Sequence, residues 1–362
     1  MLPNSKIIFS IVIPMYNGEP FIDNCLHSVL NEQTFEAGVL NFIEIIIIND
    51  GSKDNGASKA KEWAKKWNTK LGKKFITIIN KENGQYGSVI NRGIVEAKGK
   101  YIKVLDVDDI FNTRHFIEII QIIASIRIDV DVIVTDYIFD KVIKNKQIVY
   151  KWDKYFEPYK IIKMSEAKYP NSIITMHSLI YRTELLRSIN YKQVEGIYYS
   201  DSQYSVVPFS QAKLLYYINI PLYRYYIGRN DQSINIKTMV KNREHQKKVM
   251  EVIFHELFNI TTNSTRQKKY AWRVAKNMFE WQMMIVSYDT SIKNRGKHIY
   301  DSLQSALKEC KANNNFFAFE ILKNGILSRL IKITRGHGII YLMRIGEKLY
   351  AKYKLNIMAD WD

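Results

Sequence analysis

The first 136 residues alternate strand patterns with amphipathic helix patterns, and this alternation constrains the fold more than any other feature of the chain. Runs of Ile, Val and Phe with few polar interruptions are typical of strands buried on both faces. Five such runs are predicted strands, at residues 7–13, 42–48, 75–79, 101–105 and 130–135. Helical patterns separate them, so the sequence predicts an α/β fold with a mostly parallel sheet and helices on both of its faces.

The pattern changes after residue 136. The sequence predicts a hairpin over 138–150 that turns at 144–146, strands over 173–181 and 214–226, and a short helix over 202–211. From residue 237 nearly every segment has helical periodicity. We therefore predict a first domain over residues 1–236, with halves at 1–136 and 137–236, and a mainly α-helical, basic second domain over residues 237–362.

The composition is that of a folded protein with a sizeable core, since 46% of the 362 residues are hydrophobic and 25% are charged. Cys25 and Cys310 are far apart without metal-type spacing, which argues against a disulfide framework or a zinc site. The N-terminus lacks the pattern of a secretory signal, and no segment approaches the ~20 apolar residues that span a bilayer. These features favour a cytoplasmic location.

The net charge of +17 is concentrated in the C-terminal third, where residues 241–355 hold 22 Lys and Arg against 9 Asp and Glu. Such an excess suits nucleic acid, anionic lipid or an anionic substrate, and does not choose among them. Residues 321–355 combine 8 Lys and Arg with Ile, Leu and Tyr, a pattern typical of contact with an anionic membrane, here its inner face. A helical packing domain with a solvated basic face is the alternative interpretation.

Polar loops follow the first four predicted strands, at the edge where ligands bind in open parallel sheets. They are Pro14-Met15-Tyr16-Asn17-Gly18, Asn49-Asp50-Gly51-Ser52, residues 80–87, and Asp106-Val107-Asp108-Asp109. Carboxylates crowded in the fourth loop repel, so a compensating cation or raised pKa values are expected there. Alternate carboxylates suit Mg²⁺ or Mn²⁺, hard ions that prefer oxygen ligands and leave positions for phosphate oxygens. A solvated loop that caps the following helix is the alternative.

These loops resemble the motifs of family 2 glycosyltransferases of the GT-A fold. The matching segments are 10–18, 47–52, 82–93 and 99–109, and the resemblance covers roughly residues 7–235. It implies inverting, metal-dependent transfer of a sugar from a nucleotide-sugar to an acceptor hydroxyl, with Mn²⁺ or Mg²⁺ as cofactor. The expected donor is a UDP-linked hexose or N-acetylhexosamine, and the expected acceptor is a saccharide, a lipid-linked saccharide or a glycoprotein, as in bacterial polysaccharide synthesis. Nucleic acid is not an expected partner, and assembly into a homo-oligomer is left open.

The resemblance also implies roles for individual residues. The expected nucleotide-sugar contacts are Pro14, Met15, Tyr16, Asn17, Asp50 (facing uracil), Asn83, Gly84, Asn91, Asp106, Val107 and Arg229. Asp108 is the expected metal ligand and Asp201 the expected general base. The expected assisting residues are Asp109, His177, Gln232 and Ser233. Many relatives carry an Arg-Asn pair after the third loop, where this chain has Ile90-Asn91, which weakens the case for a direct Arg contact.

Simpler interpretations are open for several of these residues. Asp50 and Asp201 could cap helices, Gly84 could serve only a turn, Arg229 could be a surface cation and His177 could be packed. Two other functions fit parts of the sequence. A sugar nucleotidyltransferase uses the same kind of sheet but needs a Gly-rich basic signature after the first strand, which residues 14–18 lack. A non-catalytic, membrane-binding module would need only the basic C-terminal third.

Overall fold

The structure is a computed structural model that describes residues 7–141, 146–227, 236–260 and 264–345. The chain divides into two compact units. The first comprises Met1–Arg229 with Thr262–Gln267, and the second comprises Asn230–Thr261 with Lys268–Asp362. The sequence placed a domain boundary after residue 236, and the first division between the two units lies between Arg229 and Asn230.

The described residues of the first unit form ten strands. They are β1 (Phe9–Met15), β2 (Ile43–Asp50), β3 (Ile76–Lys81), β4 (Tyr101–Val104), β5 (Ile110–Phe111), β6 (Val132–Lys141), β7 (Lys146–Tyr150), β8 (Ile161–Lys163), β9 (Leu179–Arg182) and β10 (Leu214–Ile227). Their order in the sheet is β3-β2-β1-β4-β9-β6-β10-β5, with β7 beside β6 and β8 beside β10. Every residue of β1, β2 and β4 is buried, because these apolar strands lie inside the sheet.

The predicted alternation of strands and helices is present in this unit. Its helices are α1 (Ile22–Val29), α2 (Glu32–Glu36), α3 (Gly56–Leu71), α4 (Gln85–Glu96), α5 (Thr113–Ser125), α6 (Thr183–Ser188) and α7 (Asp201–Gln211). β1 pairs in parallel with β2 and β4, and β2 pairs in parallel with β3. The four loops predicted to converge therefore leave the same edge of the sheet.

Beyond β4 the sheet becomes mixed. β9 lies antiparallel between β4 and β6, so β6 runs in the same direction as β4 but does not pair with it. The predicted hairpin is present as the antiparallel pair β6 and β7, and its turn lies outside the described residues. The predicted strand over 173–181 is wrong over most of its length: a 3₁₀ helix occupies Met176–Ser178, and the strand itself is only β9. The buried Lys103 ammonium donates to the backbone carbonyl oxygens of Met176, His177 and Leu179, and so holds this turn beside β4.

The described part of the second unit is helical. Its helices are α8 (Ile236–Lys241), α9 (Arg243–Phe258), α10 (Thr265–Tyr288, begun in the first unit), α11 (Arg295–Ala312), α12 (Phe316–Asn324) and α13 (Ile326–Thr334), and residues 339–345 are also helical. Trp272 packs against Phe254 and Phe258, with ring centroids 5.5 and 5.0 Å apart. Among the described helices, none combines the length and the apolar composition needed to cross a bilayer.

Candidate active site

The loops after β1 and β2 are joined by hydrogen bonds. The backbone N–H of Asn17 donates to the Ser52 hydroxyl at 2.9 Å. The Asn17 side-chain oxygen accepts from the backbone N–H of Lys53 at 2.9 Å. Asn17 has a positive φ of 50°, which Asn tolerates better than most residues. Tyr16 is exposed, whereas Pro14 and Met15 are buried. The first loop therefore offers a fixed amide and an accessible aromatic ring at this edge.

Asp50 lies at the carboxyl end of β2 and ties the second loop to the third. Its Oδ1 accepts from the Lys81 ammonium at 2.6 Å and from the backbone N–H of Gly84 at 3.0 Å. The Asn83 side-chain amide donates to the Asp50 carbonyl oxygen at 3.0 Å. The residue predicted to face uracil is thus almost fully buried and has a cationic partner inside the protein. Its contacts organise the third loop.

The acidic loop after β4 packs against the first and third loops. Gly18 allows this approach, because a Cβ there would lie 2.9 Å from a methyl carbon of Val107. The Tyr86 hydroxyl, on α4, donates to the Asp106 carboxylate at 2.9 Å. The loops after β1, β2, β3 and β4 therefore form one rim at the carboxyl ends of parallel strands, where open α/β sheets bind their ligands.

Asp109 is bound to β10. Its two carboxylate oxygens accept from the Tyr223 hydroxyl and from the backbone N–H of Tyr226, both at 2.8 Å, and Asp109 is only 1% exposed. The Tyr223 hydroxyl also accepts from the backbone N–H of Asp106 at 3.1 Å. These contacts hold the acidic loop against β10, so Asp109 helps to position the loop.

The carboxylates of the acidic loop interact unfavourably with one another. Burial, followed by the charge of Asp108, raises the pKa of Asp106 to about 7. Burial, followed by the charges of Asp108 and Asp106, raises the pKa of Asp109 well above its ordinary value. Carboxylates that repel one another away from bulk water favour a compensating cation. The oxygen-rich donor set suits a hard divalent ion.

His177 lies beside the acidic loop. Asp106, Asp109 and His177 offer ligand atoms that all lie within 4.8 Å of one another. Burial, followed by the charge of Lys103, lowers the pKa of His177 to about 3, so its imidazole is neutral and able to ligate a metal. Asp108, the predicted metal ligand, is not part of this group, although its charge acts on both aspartates. The structure therefore adds a nitrogen donor to the predicted oxygen donors.

Lys103 accounts for the position of His177. It is a fully buried residue of β4, and its ammonium donates to the carbonyl oxygens of Met176, His177 and Leu179 at 2.8, 2.6 and 3.1 Å. Three hydrogen bonds are the full donor capacity of a lysine, so the buried charge is well satisfied. The imidazole stacks on Tyr225 with ring centroids 4.2 Å apart. A single charged residue inside an apolar strand is the sequence signal for this contact.

Asp201 is the first residue of α7 and acts on the same site. Burial raises its pKa, against hydrogen bonds from backbone N–H groups at the start of the helix. Its charge in turn raises the pKa values of Asp106 and Tyr86, as expected for a neighbour of the acidic loop. A carboxylate with a raised pKa in such a place suits a general base. Ser200 occupies the N-cap position without a side-chain cap hydrogen bond, and the Asp201 carboxylate also contacts the first turn, so the capping alternative stays open.

The segment before α7 is docked onto α4. The Asn91 amide donates to the Gln193 carbonyl oxygen at 2.8 Å and to the Glu195 carboxylate at 2.7 Å, and the Gln193 backbone N–H donates to the Asn91 side-chain oxygen at 2.7 Å. Gly87 permits this close approach, since a Cβ there would lie 1.8 Å from the Val194 carbonyl oxygen. Asn91, predicted to contact the nucleotide-sugar, thus braces the segment that leads to the candidate base.

Arg92, which follows Asn91, stands apart from this arrangement: it is exposed and pairs with Glu96 of its own helix at 2.8 Å. The predicted residues outside the described ranges are Arg229, Gln232 and Ser233. The sequence did not single out Tyr86 and Tyr223, whose hydroxyl groups organise the acidic loop. Both lie in segments that the sequence analysis covers. Their hydroxyl groups, which can bond to a carboxylate, are the feature of the sequence that could have indicated this role.

The model of Glycosyl transferase family 2 matches residues 10–189. This range contains the four loops, the acidic motif and every strand from β1 to β9. The chain carries a glycosyltransferase family 2 domain. The motifs predicted this family, and the match confirms that prediction for the domain. The family 2 domain as matched ends before α7, so the candidate base lies beyond it.

Curated relatives of the family 2 domain are also named as glycosyltransferases. The uncharacterized glycosyltransferase EpsJ of Bacillus subtilis is 38% identical over 109 residues, which cover 30% of this chain and 28% of EpsJ. An uncharacterized glycosyltransferase of Rickettsia typhi is 32% identical over 199 residues, which cover 55% of this chain and 55% of the relative. The chain thus spans between about a quarter and about half of the length of these relatives.

Solved structures share the fold beyond the family 2 domain. TarS 1-349 of S. aureus matches with a TM-score of 0.63 at 15% identity, covering 94% of this chain and 92% of that chain. The mannosyltransferase PcManGT of Pyrobaculum calidifontis matches with a TM-score of 0.51 at 12% identity, covering 98% and 89%. The predicted GT-A fold followed by a helical C-terminal region is confirmed.

Proposed function

We propose that the chain transfers a sugar from a nucleotide-sugar to an acceptor hydroxyl, with inversion at the anomeric carbon and with a divalent metal ion at the acidic loop. A UDP-linked hexose or N-acetylhexosamine is the expected donor. Two neighbours in fold support this: one structure of TarS holds UDP-GlcNAc, and that of PcManGT holds GDP-Man and Mn²⁺. The acceptor is a saccharide, a lipid-linked saccharide or a glycoprotein.

One observation carries this proposal: Asp106 and Asp108 follow β4 at a rim built by the loops of four parallel strands, with Asp201 acting on the same place. A nucleoside diphosphate would add negative charge to a loop in which burial already opposes ionisation. Such a ligand is repelled unless a cation accompanies it. The acidic loop therefore suits a metal ion and a diphosphate together, and it would repel a diphosphate that arrived without the ion.

The residues present fit a divalent ion. Asp106 and Asp108 would supply oxygen donors, and the neutral imidazole of His177 would supply a nitrogen donor. We assign Asp109 to positioning, because both of its carboxylate oxygens already accept hydrogen bonds from β10. When bound, the ion would neutralise the charge that develops on the diphosphate leaving group.

Asp201 is the proposed general base. Its carboxylate would accept the proton of the acceptor hydroxyl as that oxygen attacks the anomeric carbon from the side opposite the leaving diphosphate. The raised pKa of Asp201 favours uptake of this proton. Contacts to the nucleotide-sugar are proposed for the loop residues Pro14, Met15, Tyr16, Asn17, Asp50, Asn83, Gly84 and Val107.

A donor screen tests this function. The purified chain is incubated with a panel of UDP-sugars and GDP-sugars and with candidate saccharide acceptors, and release of the nucleoside diphosphate is measured with and without EDTA. We expect acceptor-stimulated release from one donor, loss of release in EDTA and recovery on adding excess Mn²⁺ or Mg²⁺. Full activity in EDTA contradicts the metal assignment. Release of pyrophosphate from UTP and a sugar phosphate would instead indicate a nucleotidyltransferase.

A further inference from the structure

Helix α13 shows an apolar stripe on its exposed side. Ile326, Leu330 and Ile333 are spaced four and three residues apart and therefore share one face of the helix. Ile326 is 81% exposed and Ile333 is 79% exposed. The buried residues of the same helix are Ser328 and Ile331, which face the other way and pack inside the unit. The helix thus has an apolar surface in addition to the one that it buries.

This stripe differs from what a merely solvated basic face would show. Such a face would present Lys and Arg side chains to water and bury the apolar ones. Other large apolar side chains of the second unit are also exposed, among them Phe316 at 81% and Tyr341 at 70%. Exposed apolar side chains that share one helix face mark an interaction site more often than scattered exposure does.

Cationic side chains lie on α13 and on the helices packed against it, and the exposed Arg329 is three residues from Ile326 on the surface of α13. The ammonium groups of Lys311 and Lys323 lie over the Phe319 ring at 4.9 and 5.5 Å from its centroid. Burial, followed by the charges of Lys323 and Lys311, lowers the pKa of Lys332 on α13, so the three cations lie near one another. Residues 311–345 contain six Lys and Arg and a single acidic residue, Glu320. Glu320 lies 3.7 Å from the Lys323 ammonium and offsets part of this charge, and the remaining positive excess favours an anionic partner.

A cavity with a basic lining lies in the same unit. It has a volume of about 1000 Å³ and lies between the start of α11 and the residues that follow α13. Arg335, which directly follows α13, is one of its lining residues. The other Lys and Arg residues that line it are Arg295, Lys297 and Arg344, against the single carboxylate of Asp301. Asp301 pairs with Lys297, so the lining keeps an excess of three cations, which suits anionic groups.

We propose that the exposed face of α13 binds the surface of a membrane that contains anionic lipids. The apolar side chains enter the boundary between headgroups and acyl chains, and the surrounding cations meet lipid phosphates. A second copy of the chain is the less suitable occupant, because it would bring two cationic surfaces together. This inference goes beyond the proposed glycosyl transfer and does not depend on it.

Co-sedimentation of the full chain with vesicles tests the proposal. Vesicles of phosphatidylcholine are compared with vesicles that also contain phosphatidylglycerol. The double variant Ile326→Ser/Ile333→Ser is matched by Val95→Ser/Ile128→Ser, which changes two exposed apolar residues of the first unit. A charge reversal, Lys323→Glu/Arg329→Glu, is matched by Lys61→Glu/Lys65→Glu on exposed positions of α3.

We expect binding to the anionic vesicles only, with the partition coefficient falling at least ~10-fold in the α13 variant and in the charge reversal, and not in their controls. Binding that is equal for both vesicle types, or equal for an α13 variant and its control, overturns the proposal. A dimer that forms without lipid and dissociates in Ile326→Ser/Ile333→Ser also overturns it. Sugar transfer to a water-soluble acceptor is measured on the same variants and should be unchanged, so failure of either proposal is recognised separately.

Discussion

Asn91 and Gln193 exchange two hydrogen bonds although 102 residues separate them in the sequence. The Asn91 amide nitrogen donates to the Gln193 carbonyl oxygen at 2.8 Å, and the Asn91 side-chain oxygen accepts from the Gln193 backbone N–H at 2.7 Å. Both bonds form together only when the amide plane and the backbone are aligned. This pair therefore fixes the segment before α7 to α4.

Replacing Asn91 by Ala should lower kcat more than it raises the KM for the donor, because the change releases the segment that leads to Asp201. Loss of three hydrogen bonds, two of them to backbone groups, should lower the free energy of unfolding by about 2 kcal/mol. UDP affinity should change less than ~2-fold if no nucleotide contact is lost. Arg92→Ala, at an exposed neighbouring position, is the control. A large loss of UDP affinity with kcat retained would show that Asn91 contacts the nucleotide instead.

Replacing Asp201 by Asn should reduce kcat by roughly 10²- to 10⁴-fold, because the amide cannot accept the acceptor proton as the carboxylate does. Thermal unfolding and UDP affinity should stay close to those of the unchanged protein, since the side-chain volume is preserved. Steady-state kinetics and calorimetry measure these quantities. Glu184→Gln, an exposed carboxylate in the first turn of α6, is the matched control. Turnover retained in Asp201→Asn would remove Asp201 from the reaction.

Replacing Asp108 by Ala should abolish the dependence of UDP binding on metal. Isothermal titration of UDP with and without Mn²⁺ measures it, and the unchanged protein should bind UDP far more tightly with the ion than without it. Asp153→Ala, in the segment between β7 and β8, is the control for loss of a carboxylate outside the acidic loop. If Asp108→Ala keeps the full effect of Mn²⁺, the ion is held without Asp108, by residues such as Asp106 and His177.

The stability of the metal-free protein should depend on pH through Asp106. Its pKa is about 7 in the folded chain, against 3.8 for the unperturbed group, so the folded state binds this proton more tightly than the unfolded state does. The contribution of Asp106 to the free energy of unfolding should therefore fall as pH rises from about 4 to about 7, and stay constant above that.

Asp108→Asn removes one of the charges that raise the pKa of Asp106. In EDTA this variant should unfold at higher denaturant concentration than the unchanged protein near neutral pH, with a gain of about 1 kcal/mol that shrinks toward pH 4. Denaturant unfolding over a pH series measures the difference. A difference that is independent of pH would show that repulsion within the acidic loop is not its cause.

The sequence by itself determined the framework of the first unit. Buried β-branched runs specified β1 to β4 and β6, and helical periodicity specified α1, α3, α4 and α5. Parallel strands bring their carboxyl ends to one edge, so the convergence of the four polar loops followed from the strand pattern. The close spacing of the carboxylates in the acidic motif predicted mutual repulsion and raised pKa values. Burial, followed by the charge of Asp108, does raise the pKa of Asp106.

Only the tertiary structure decided how that framework is connected. The antiparallel insertion of β9, the turn of Met176–Ser178 toward Lys103, and the ion pair of Asp50 with Lys81 join residues far apart in sequence. Periodicity reports which residues are apolar, but it carries no information on which distant group each polar atom will meet. The same limit applies to α13, where apolar residues lie on two faces and only packing decides which face is left exposed.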